Sequence, residues 1–355
     1  MTDHGAGRGR GVGRGRRAAQ NPVMRAAYVE ELGPPEVIRV GELPPPRPGP
    51  GDVVVEVEVT AVNHVDTFVR SGAWRTPLAF PFVIGRDLVG TVVESGPGAV
   101  GFAAGDRVWC SSLGYAGRQG AAAERVVVPG DRLYPLPDGV DPVETVALSH
   151  PATTAYLALF THGRVRAGET VLVLGAAGNV GSAAVVMAAQ AGARVVAVAS
   201  AGDAGLCRRL GAREVFDYRD PEVFRRIGEA SPGGVDLWID TSARNDLETA
   251  VGLLAPRGRV VVLAGLRTRP VLPAGPLYTQ DRSVIGFAIS RARADELAEA
   301  AAHIGRLQAD GLLRAHATEV LPLDEAALAH RRVEEGKARG KLVLRVSTPA
   351  AEPAG

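Results

Sequence analysis

A glycine-rich turn is the clearest chemical signal in the sequence. The apolar run VLVL (171–174) leads into GAAGNVG (175–181), and an apolar helical pattern follows. Gly178 would let the backbone approach a pyrophosphate, Gly181 would let helix and strand pack closely, and the helix N-terminus would offer free N–H groups to the phosphates. Because strand, turn and helix occur in the required order, the segment predicts a dinucleotide site.

The end of the next strand indicates which nicotinamide cofactor is bound. Folds that bind NAD usually carry Asp or Glu there to bond the ribose hydroxyl, whereas this chain has Ser200. A small neutral side chain leaves room for a 2′-phosphate, so the sequence predicts NADPH. Asp203 lies just beyond and would repel that phosphate, and the candidate counter-charges are Arg208, Arg209 and Arg219.

Alternating strands and helices must position this turn. After Pro137 the apolar patterns predict strands at 170–174, 194–199, 214–216, 235–240, 258–263 and 283–286. They predict helices at 151–161, 180–190, 202–210, 221–230 and 246–254. Alternation of this kind indicates a doubly wound parallel sheet of the Rossmann type, covered by helices on both faces.

A different pattern precedes that region. From Arg25 to Val128, short strands such as 53–59, 89–94 and 125–128 are separated by Gly and Pro, which predicts a barrel-like, mostly antiparallel β domain. A helix running to Asp310 leads to a strand at 341–346 that has no place in the parallel sheet, so we expect it to return to the β domain. The predicted fold class is α/β, with the Rossmann sheet inserted into the β domain.

Composition narrows the class of protein. The chain has 355 residues, 46% of them hydrophobic and 22% charged, and a formal net charge of +1, so it is long enough for two domains and has no global field that favours nucleic acid or membrane. Its two cysteines, Cys110 and Cys207, have no metal-site spacing, and a reducing cytoplasm is the predicted location. The Gly/Arg-rich segment 1–22 and the segment 348–355 are predicted to be disordered tails.

Several segments together resemble one family. They are AVNHVDTFVRSG (61–72), GRDLVG (85–90), GDRV (105–108), TAY (154–156), the glycine turn, GA (211–212), FDYR (216–219) and GKLV (340–343). Their order and spacing resemble the zinc-free quinone oxidoreductases, the zeta-crystallin branch of the medium-chain dehydrogenase/reductase superfamily. The resemblance implies a GroES-like substrate domain at 23–138 and 290–347 and a Rossmann NADPH-binding domain at 139–289. It also implies a homodimer that pairs the strand 283–286.

The resemblance assigns roles to individual residues. Asn63 matches a residue near the nicotinamide, Thr154 matches a cofactor contact, Tyr218 matches a tyrosine around the adenosine 2′-phosphate, and Lys341 belongs to a cofactor-side loop. The predicted cofactor-binding set is Asn63, Thr154, Gly175, Ala177, Gly178, Asn179, Val180, Gly181, Ser200, Tyr218, Arg219, Gly265 and Lys341. Asn179 stands where glycine is more common, and it would be tolerated if its backbone adopts a left-handed conformation.

The predicted catalytic residues are Asn63, His150 and Trp74. Each of them differs from the residue that a related class of enzymes has at the matching position. Zinc alcohol dehydrogenases bind their catalytic zinc through Cys, His and Cys at positions that match Asn63, Arg86 and His150. Neither an amide nor a guanidinium can replace those ligands, so no zinc is predicted. Trp74 occupies the place of the family's usual tyrosine and has no phenolic proton to give.

His150 has two interpretations. Imidazole has an unperturbed pKa of about 6.5, so a histidine beside the nicotinamide can donate a proton. The residue can equally cap a helix that starts at Pro151. Asp66 and Asp87 are expected to be structural partners of nearby arginines rather than acids in the reaction.

The predicted function is hydride transfer from NADPH to a quinone or an α,β-unsaturated carbonyl compound. An enone reductase dedicated to a secondary-metabolite pathway is an alternative, because pocket shape decides between these acceptors. A non-catalytic protein that binds NADPH on the same scaffold is a further alternative. Retention of Asn63, Thr154 and the glycine turn favours catalysis.

Overall fold

The computed structural model describes residues 22–347. Residues 1–21 and 348–355 lie outside the described part. The predicted tail 348–355 therefore lies wholly outside it, and so does the predicted tail 1–22 except for residue 22. The strands are β1 Met24–Val29, β2 Arg39–Leu43, β3 Asp52–Ala61, β4 Phe82–Val83, β5 Asp87–Ser95, β6 Arg107–Cys110, β7 Arg125–Pro129, β8 Tyr134–Pro135, β9 Thr170–Leu174, β10 Arg194–Ala199, β11 Glu214–Asp217, β12 Val235–Asp240, β13 Leu254–Val262, β14 Ser283–Gly286, β15 Thr318–Pro322 and β16 Lys341–Arg345. The helices are α1 His64–Ser71, α2 Pro142–Tyr156, α3 Asn179–Gln190, α4 Ala204–Arg209, α5 Val223–Ala230, α6 Leu247–Leu253, α7 Ala274–Tyr278, α8 Ala294–Ala309 and α9 Ala326–Glu334.

The parallel sheet is confirmed. Its strand order is β11-β10-β9-β12-β13-β14, and every pairing within it is parallel. The central strands β9 and β10 bury nearly all of their side chains, because helices cover both faces of such a sheet. The chain crosses the sheet between β9 and β12, so the carboxyl ends of β9, β10 and β12 meet at the edge where this topology binds ligands.

The second sheet is mostly antiparallel and open. Its order is β15-β16-β3-β5-β6-β8, and β7 also pairs with β3. The last strand, β16, runs antiparallel to β3 with Val343 opposite Ala61, so it returns to the β region as predicted. One pairing differs from the expected pattern, because β15 lies parallel to β16. A separate small sheet has the order β2-β1-β4.

Helix α2 lies between the two large sheets. One buried apolar cluster includes Val59 and Val89 of the antiparallel sheet, Leu148 of α2 and Val173 of the parallel sheet. A shared core of this kind resists relative movement of the two sheets.

The start of α2 corrects the sequence prediction. We expected a helix from Pro151, but α2 begins at Pro142, and the side chain of Asp141 accepts a hydrogen bond from the backbone N–H of Glu144. Proline is favoured at the first helical position, and the Asp-Pro pair at 141–142 is that signal. Pro151 instead lies inside the helix. His150 therefore does not cap a helix start.

Three short helices, α1, α7 and α9, were not predicted. Their lengths of eight, five and nine residues give little room for an apolar period to repeat. Among the helices of residues 22–347, none combines the length and apolar character needed to cross a membrane.

Candidate active site

The glycine turn connects β9 to α3 in a conformation that only glycine allows at two points. Gly175 has a φ of +72°, and a Cβ there would lie 2.5 Å from the Thr241 Oγ1. A Cβ on Gly181 would lie 2.1 Å from the Gly175 carbonyl oxygen, which agrees with the expected close packing of helix and turn. Gly178 caps α3, and Asn179 is the first residue of that helix. Asn179 is therefore helical and needs no left-handed conformation, because the left-handed residue of the turn is Gly175.

A cavity of about 690 Å³ opens at the carboxyl ends of β9, β10 and β12. It brings together six of the predicted cofactor residues, namely Gly175, Ala177, Gly178, Ser200, Tyr218 and Arg219. Asn179, Val180 and Gly181 follow directly in α3 without lining it, and Arg208 and Arg209 do not line it. Two of the three arginines proposed as counter-charges are thus not placed to act there.

The charged groups of this cavity are Asp203, Arg219 and Arg244. The Ser200 Oγ donates a hydrogen bond to the Asp203 Oδ2 at 2.6 Å, so the carboxylate is partly satisfied within the protein. The Arg219 guanidinium lies 5.1 Å from the centroid of the Tyr218 ring. Two cations against one anion give the cavity a positive balance, which favours a phosphorylated ligand.

Sequence reasoning missed Arg244. It lies in the loop after β12, where the Asp240 Oδ1 accepts hydrogen bonds from the backbone N–H and the hydroxyl of Ser242 at 2.7 and 2.6 Å. The Asn245 backbone N–H bonds the other carboxylate oxygen at 2.8 Å. Polar residues directly after a parallel strand were an available signal, because that edge of the sheet is where ligands bind.

Gly265 supports this loop and does not line the cavity. Its φ is +88°, and a Cβ there would lie 2.3 Å from the Asn245 Nδ2. The Asn245 amide in turn donates to the Ala264 carbonyl and to the Thr268 hydroxyl, both at 2.9 Å. The structure thus gives Gly265 a close packing contact beneath the loop.

A second group of polar residues is centred on Asn63, at the N-cap of α1. The Asn63 Nδ2 donates to the Asp87 Oδ2 at 2.7 Å and to the Asp66 Oδ2 at 3.3 Å. The Lys341 Nζ donates to the Asn63 Oδ1. Asn63, Asp66, Asp87 and Lys341 are all at most 5% exposed. The amide is therefore engaged on both sides, and it fixes two carboxylates and one cation in a dry environment.

Burial changes the protonation of this group. It raises the pKa of Asp87 to about 7, although the charge of Lys341 acts in the opposite direction. Burial also raises the pKa of Asp66 and lowers the pKa of Lys341. We expected both aspartates to pair with arginines, and this is correct only for Asp66, which accepts a bond from the Arg86 Nε at 3.4 Å. Asp87 is bonded to the Asn63 amide, and its Oδ1 has no partner among the described residues.

His150 and Arg86 lie close to this group. Burial holds the pKa of His150 well below its ordinary value, and the charges of Arg86 and Lys341 add to the effect. The imidazole is therefore neutral at physiological pH, so the predicted titration near 6.5 is not expected. The Thr154 Oγ1 donates to the His150 carbonyl at 2.8 Å, which places this predicted cofactor contact one helical turn further along α2.

Trp74 follows α1, and its ring meets that of Tyr115. The ring centroids are 6.3 Å apart and the planes are at 89°. The Arg86 guanidinium carbon lies 6.0 Å from the Tyr115 centroid, and the Arg86 Nη1 donates to the Ser290 Oγ at 2.9 Å. Tyr115 and Ser290 were not predicted, because no local motif marks them.

Comparison with known proteins identifies the family. The family model described as alcohol dehydrogenase GroES-like domain matches residues 49–138, and the one described as zinc-binding dehydrogenase matches residues 210–344. The quinone oxidoreductase of Mus musculus is 34% identical over 338 residues, which cover 92% of this chain and 99% of that protein. The chain belongs to the zinc-free quinone oxidoreductase branch of the medium-chain dehydrogenase/reductase superfamily.

Solved structures of quinone oxidoreductases share the whole fold. The quinone oxidoreductase of Pseudomonas syringae matches with a TM-score of 0.81 and 28% identity, covering 91% of this chain and 99% of that one. A mycobacterial protein complexed with NADPH matches with a TM-score of 0.78 and 29% identity, covering 91% and 99%. An oxidoreductase that uses a nicotinamide cofactor is therefore the class to which this chain belongs.

The residues at the zinc-ligand positions of related alcohol dehydrogenases do not fit a zinc ion. The Asn63 oxygen accepts a bond from Lys341, Arg86 is a cation bonded to Asp66 and Ser290, and only His150 is a ligand type. Within residues 22–347, no group of three or more His, Cys, Asp or Glu side chains is placed to hold a metal ion. We therefore assign no zinc ion to this group of residues.

Proposed function

We propose that the protein is an NADPH-dependent reductase that transfers a hydride to a quinone or an α,β-unsaturated carbonyl compound without zinc. The observation that carries the cofactor assignment is the cavity at the glycine turn, which is lined by neutral Ser200 and by two cations, Arg219 and Arg244. A 2′-phosphate would find two cations there and no carboxylate at the end of β10. Asp203 opposes this assignment, and its bond to Ser200 reduces the free acceptor capacity that it presents.

The bound NADPH would supply the hydride, and the chain's own residues would position both reactants. The turn and the N-terminus of α3 would hold the pyrophosphate. Asn63 and Thr154 would lie on the nicotinamide side, with Lys341 and Asp87 fixing the Asn63 amide. Because His150 is held neutral, we assign it a place beside the reacting carbonyl but no proton transfer at neutral pH, and the proton would come from solvent.

The same proposal covers the organisation of the molecule. We place the substrate domain at 23–138 and 290–347, the cofactor domain at 139–289, and the protein in the cytoplasm. Strand β14 forms one edge of the parallel sheet, with Val284 and Ile285 half-buried, so it offers unpaired backbone groups for a second copy. We propose a homodimer through this strand.

The test is consumption of NADPH and of NADH by the purified protein with naphthoquinone and with methyl vinyl ketone. We expect turnover of at least one acceptor with NADPH, and less with NADH at equal concentration. Preference for the enone over the quinone would favour the secondary-metabolite alternative. Tight NADPH binding without turnover of either acceptor would favour the non-catalytic alternative and contradict the proposal.

A further inference from the structure

A second cavity, of about 600 Å³, lies on the antiparallel sheet and shares no lining residue with the cofactor cavity. The proline run 44–46 and Val54 of β3 supply its apolar lining. Its charged groups are Arg47, Arg125 and Glu94. Because two cations and one anion lie beside an apolar surface, the cavity favours an occupant that is partly apolar and negatively charged.

The described chain ends beside this cavity. The Ser347 Oγ donates a hydrogen bond to the Val57 carbonyl of β3 at 2.7 Å, and the Val57 N–H donates to the Glu124 carbonyl at 2.9 Å. Ser347 therefore meets β3 where β7 begins, and the first residue of β7 is Arg125, which lines the cavity. The chain beyond Ser347 thus starts next to one of the two cations.

The cavity lies on the outer face of the sheet. Val53, Val55 and Val57 of β3 belong to a buried apolar cluster, so the alternation of a strand places Val54 on the opposite face. The distance along β3 from Val57 to Val54 is about 10 Å. Residues 348–355, TPAAEPAG, reach about 25 Å when extended. They are therefore long enough to enter the cavity.

We propose that residues 348–355 form a strap that occupies this cavity. The two prolines of the strap would pack against the run 44–46, and Glu352 would face Arg47 and Arg125. A segment whose largest apolar side chain is proline buries too little surface to fold alone. The cavity supplies the apolar surface that such a segment lacks.

The segment 1–21 is the competing occupant, because Pro22 also lines the cavity. That segment has five arginines and one aspartate, so it would bring positive charge to a cavity whose balance is already positive. Residues 348–355 contain one glutamate and no lysine or arginine, and charge complementarity favours them. The strap continues β16, so it would fasten the strand from which Lys341 reaches Asn63.

A dye attached to Ala351→Cys detects the strap in the full chain. Both native cysteines are fully buried, so the new thiol is labelled selectively. We expect raised fluorescence anisotropy for this dye, and a fall to the value of a free peptide when Arg47→Glu and Arg125→Glu are added. The matched control is the same dye on Ala6→Cys in the otherwise unchanged chain, which should give the low value.

Thermal unfolding gives a readout that needs no dye. Deletion of residues 348–355 should lower the Tm by about 2 °C. The same deletion in Arg125→Glu should lower the Tm by less than half as much, because two changes at one contact are not additive. Glu352→Arg should also lower the Tm, and combining it with Arg125→Glu should restore the contact.

These measurements do not involve NADPH consumption, so their outcome is independent of the proposed function. Low anisotropy at position 351 together with an unchanged Tm on deletion would overturn the strap. An equal cost of deletion with and without Arg125→Glu would show that the segment does not lie in this cavity. High anisotropy at position 6 and low anisotropy at position 351 would assign the cavity to the segment 1–21 instead.

Discussion

The Lys341 ammonium donates a hydrogen bond to the Asn63 side-chain oxygen, and this bond joins β16 to the N-cap of α1. The charge of this cation also reduces the cost of burying Asp87 and Asp66, although burial dominates and keeps the pKa of both carboxyls raised. Removing one member of such a buried charged group leaves the others uncompensated, which is strongly destabilising.

Lys341→Met should lower the free energy of unfolding by about 3 kcal/mol at pH 8. The folded-state pKa of Asp87 is already raised to about 7 even with Lys341 present, and without that cation it should rise further. The variant should therefore go on losing stability at pH values above 7, where the wild-type contribution of Asp87 has levelled off, and the loss should be smaller at pH 6. Urea unfolding at both pH values measures this difference. The matched control is Lys337→Met at the only other lysine, whose side chain is 71% exposed. Rescue by a second change, Asp87→Asn, is also expected, and its absence would contradict the charge argument.

NADPH should bind at least tenfold more tightly than NADH, a difference of about 1.4 kcal/mol or more. Arg219→Ala and Arg244→Ala should each weaken NADPH binding by roughly tenfold and leave NADH nearly unchanged, since only NADPH carries the 2′-phosphate. Fluorescence titration of wild type and both variants with each cofactor measures the six affinities. Arg208→Ala is the control, because Arg208 does not line the cavity. An equal loss of affinity for both cofactors would contradict a contact between these arginines and the 2′-phosphate.

The purified protein should contain no stoichiometric zinc, and chelators should leave its activity unchanged. The reason is chemical, since an engaged amide and a paired guanidinium stand at two of the three ligand positions. Metal analysis of protein prepared without added zinc tests this directly. One zinc ion per chain together with loss of activity on chelation would show that other groups coordinate the metal.

His150→Ala should lower turnover by less than the roughly 100-fold that a general acid contributes. Its lowered pKa keeps the imidazole neutral across the physiological range, so the pH profile of turnover should keep the same limbs in wild type and variant. Steady-state rates between pH 5.5 and 8 provide the comparison. If the pH profile of turnover has a limb near pH 6.5 in the wild type and lacks it in the variant, His150 is the proton donor.

His330 should make the protein sensitive to mild acid. Burial lowers its folded-state pKa to about 3, whereas an unfolded histidine has a pKa near 6.5. The unfolded chain therefore binds a proton first as pH falls below about 6.5, and stability falls by up to ~1.4 kcal/mol per pH unit until the pH approaches 3. His330→Gln should remove this dependence of the free energy of unfolding on pH, as measured by urea unfolding. Exposed His316 serves as the control position, and an unchanged slope in His330→Gln would mean that other groups set it.

Local patterns predicted more of the fold than of the site. The glycine turn and the strands at 170–174, 194–199, 235–240 and 283–286 were predicted with the bounds observed, because alternation and turn chemistry depend on neighbouring residues. The meeting of Trp74 with Tyr115 and the place of Arg244 were not predicted, since tertiary packing alone brings them to the site. Pro151 misled the assignment of α2 because a proline within a helix imitates a helix start.

The pairing of β16 with β3 has a consequence for the order in which the protein becomes functional during synthesis. Residues 170–286 can complete the parallel sheet while the strand that carries Lys341 has not yet left the ribosome. The cofactor cavity can therefore exist on the nascent chain, whereas Asn63 and Asp87 must wait for Lys341. Until that late strand arrives, Asp66 already has Arg86 beside it but Asp87 lacks its neighbouring cation, so we expect a ribosome-stalled product to bind nucleotide while its Asn63 group is incomplete.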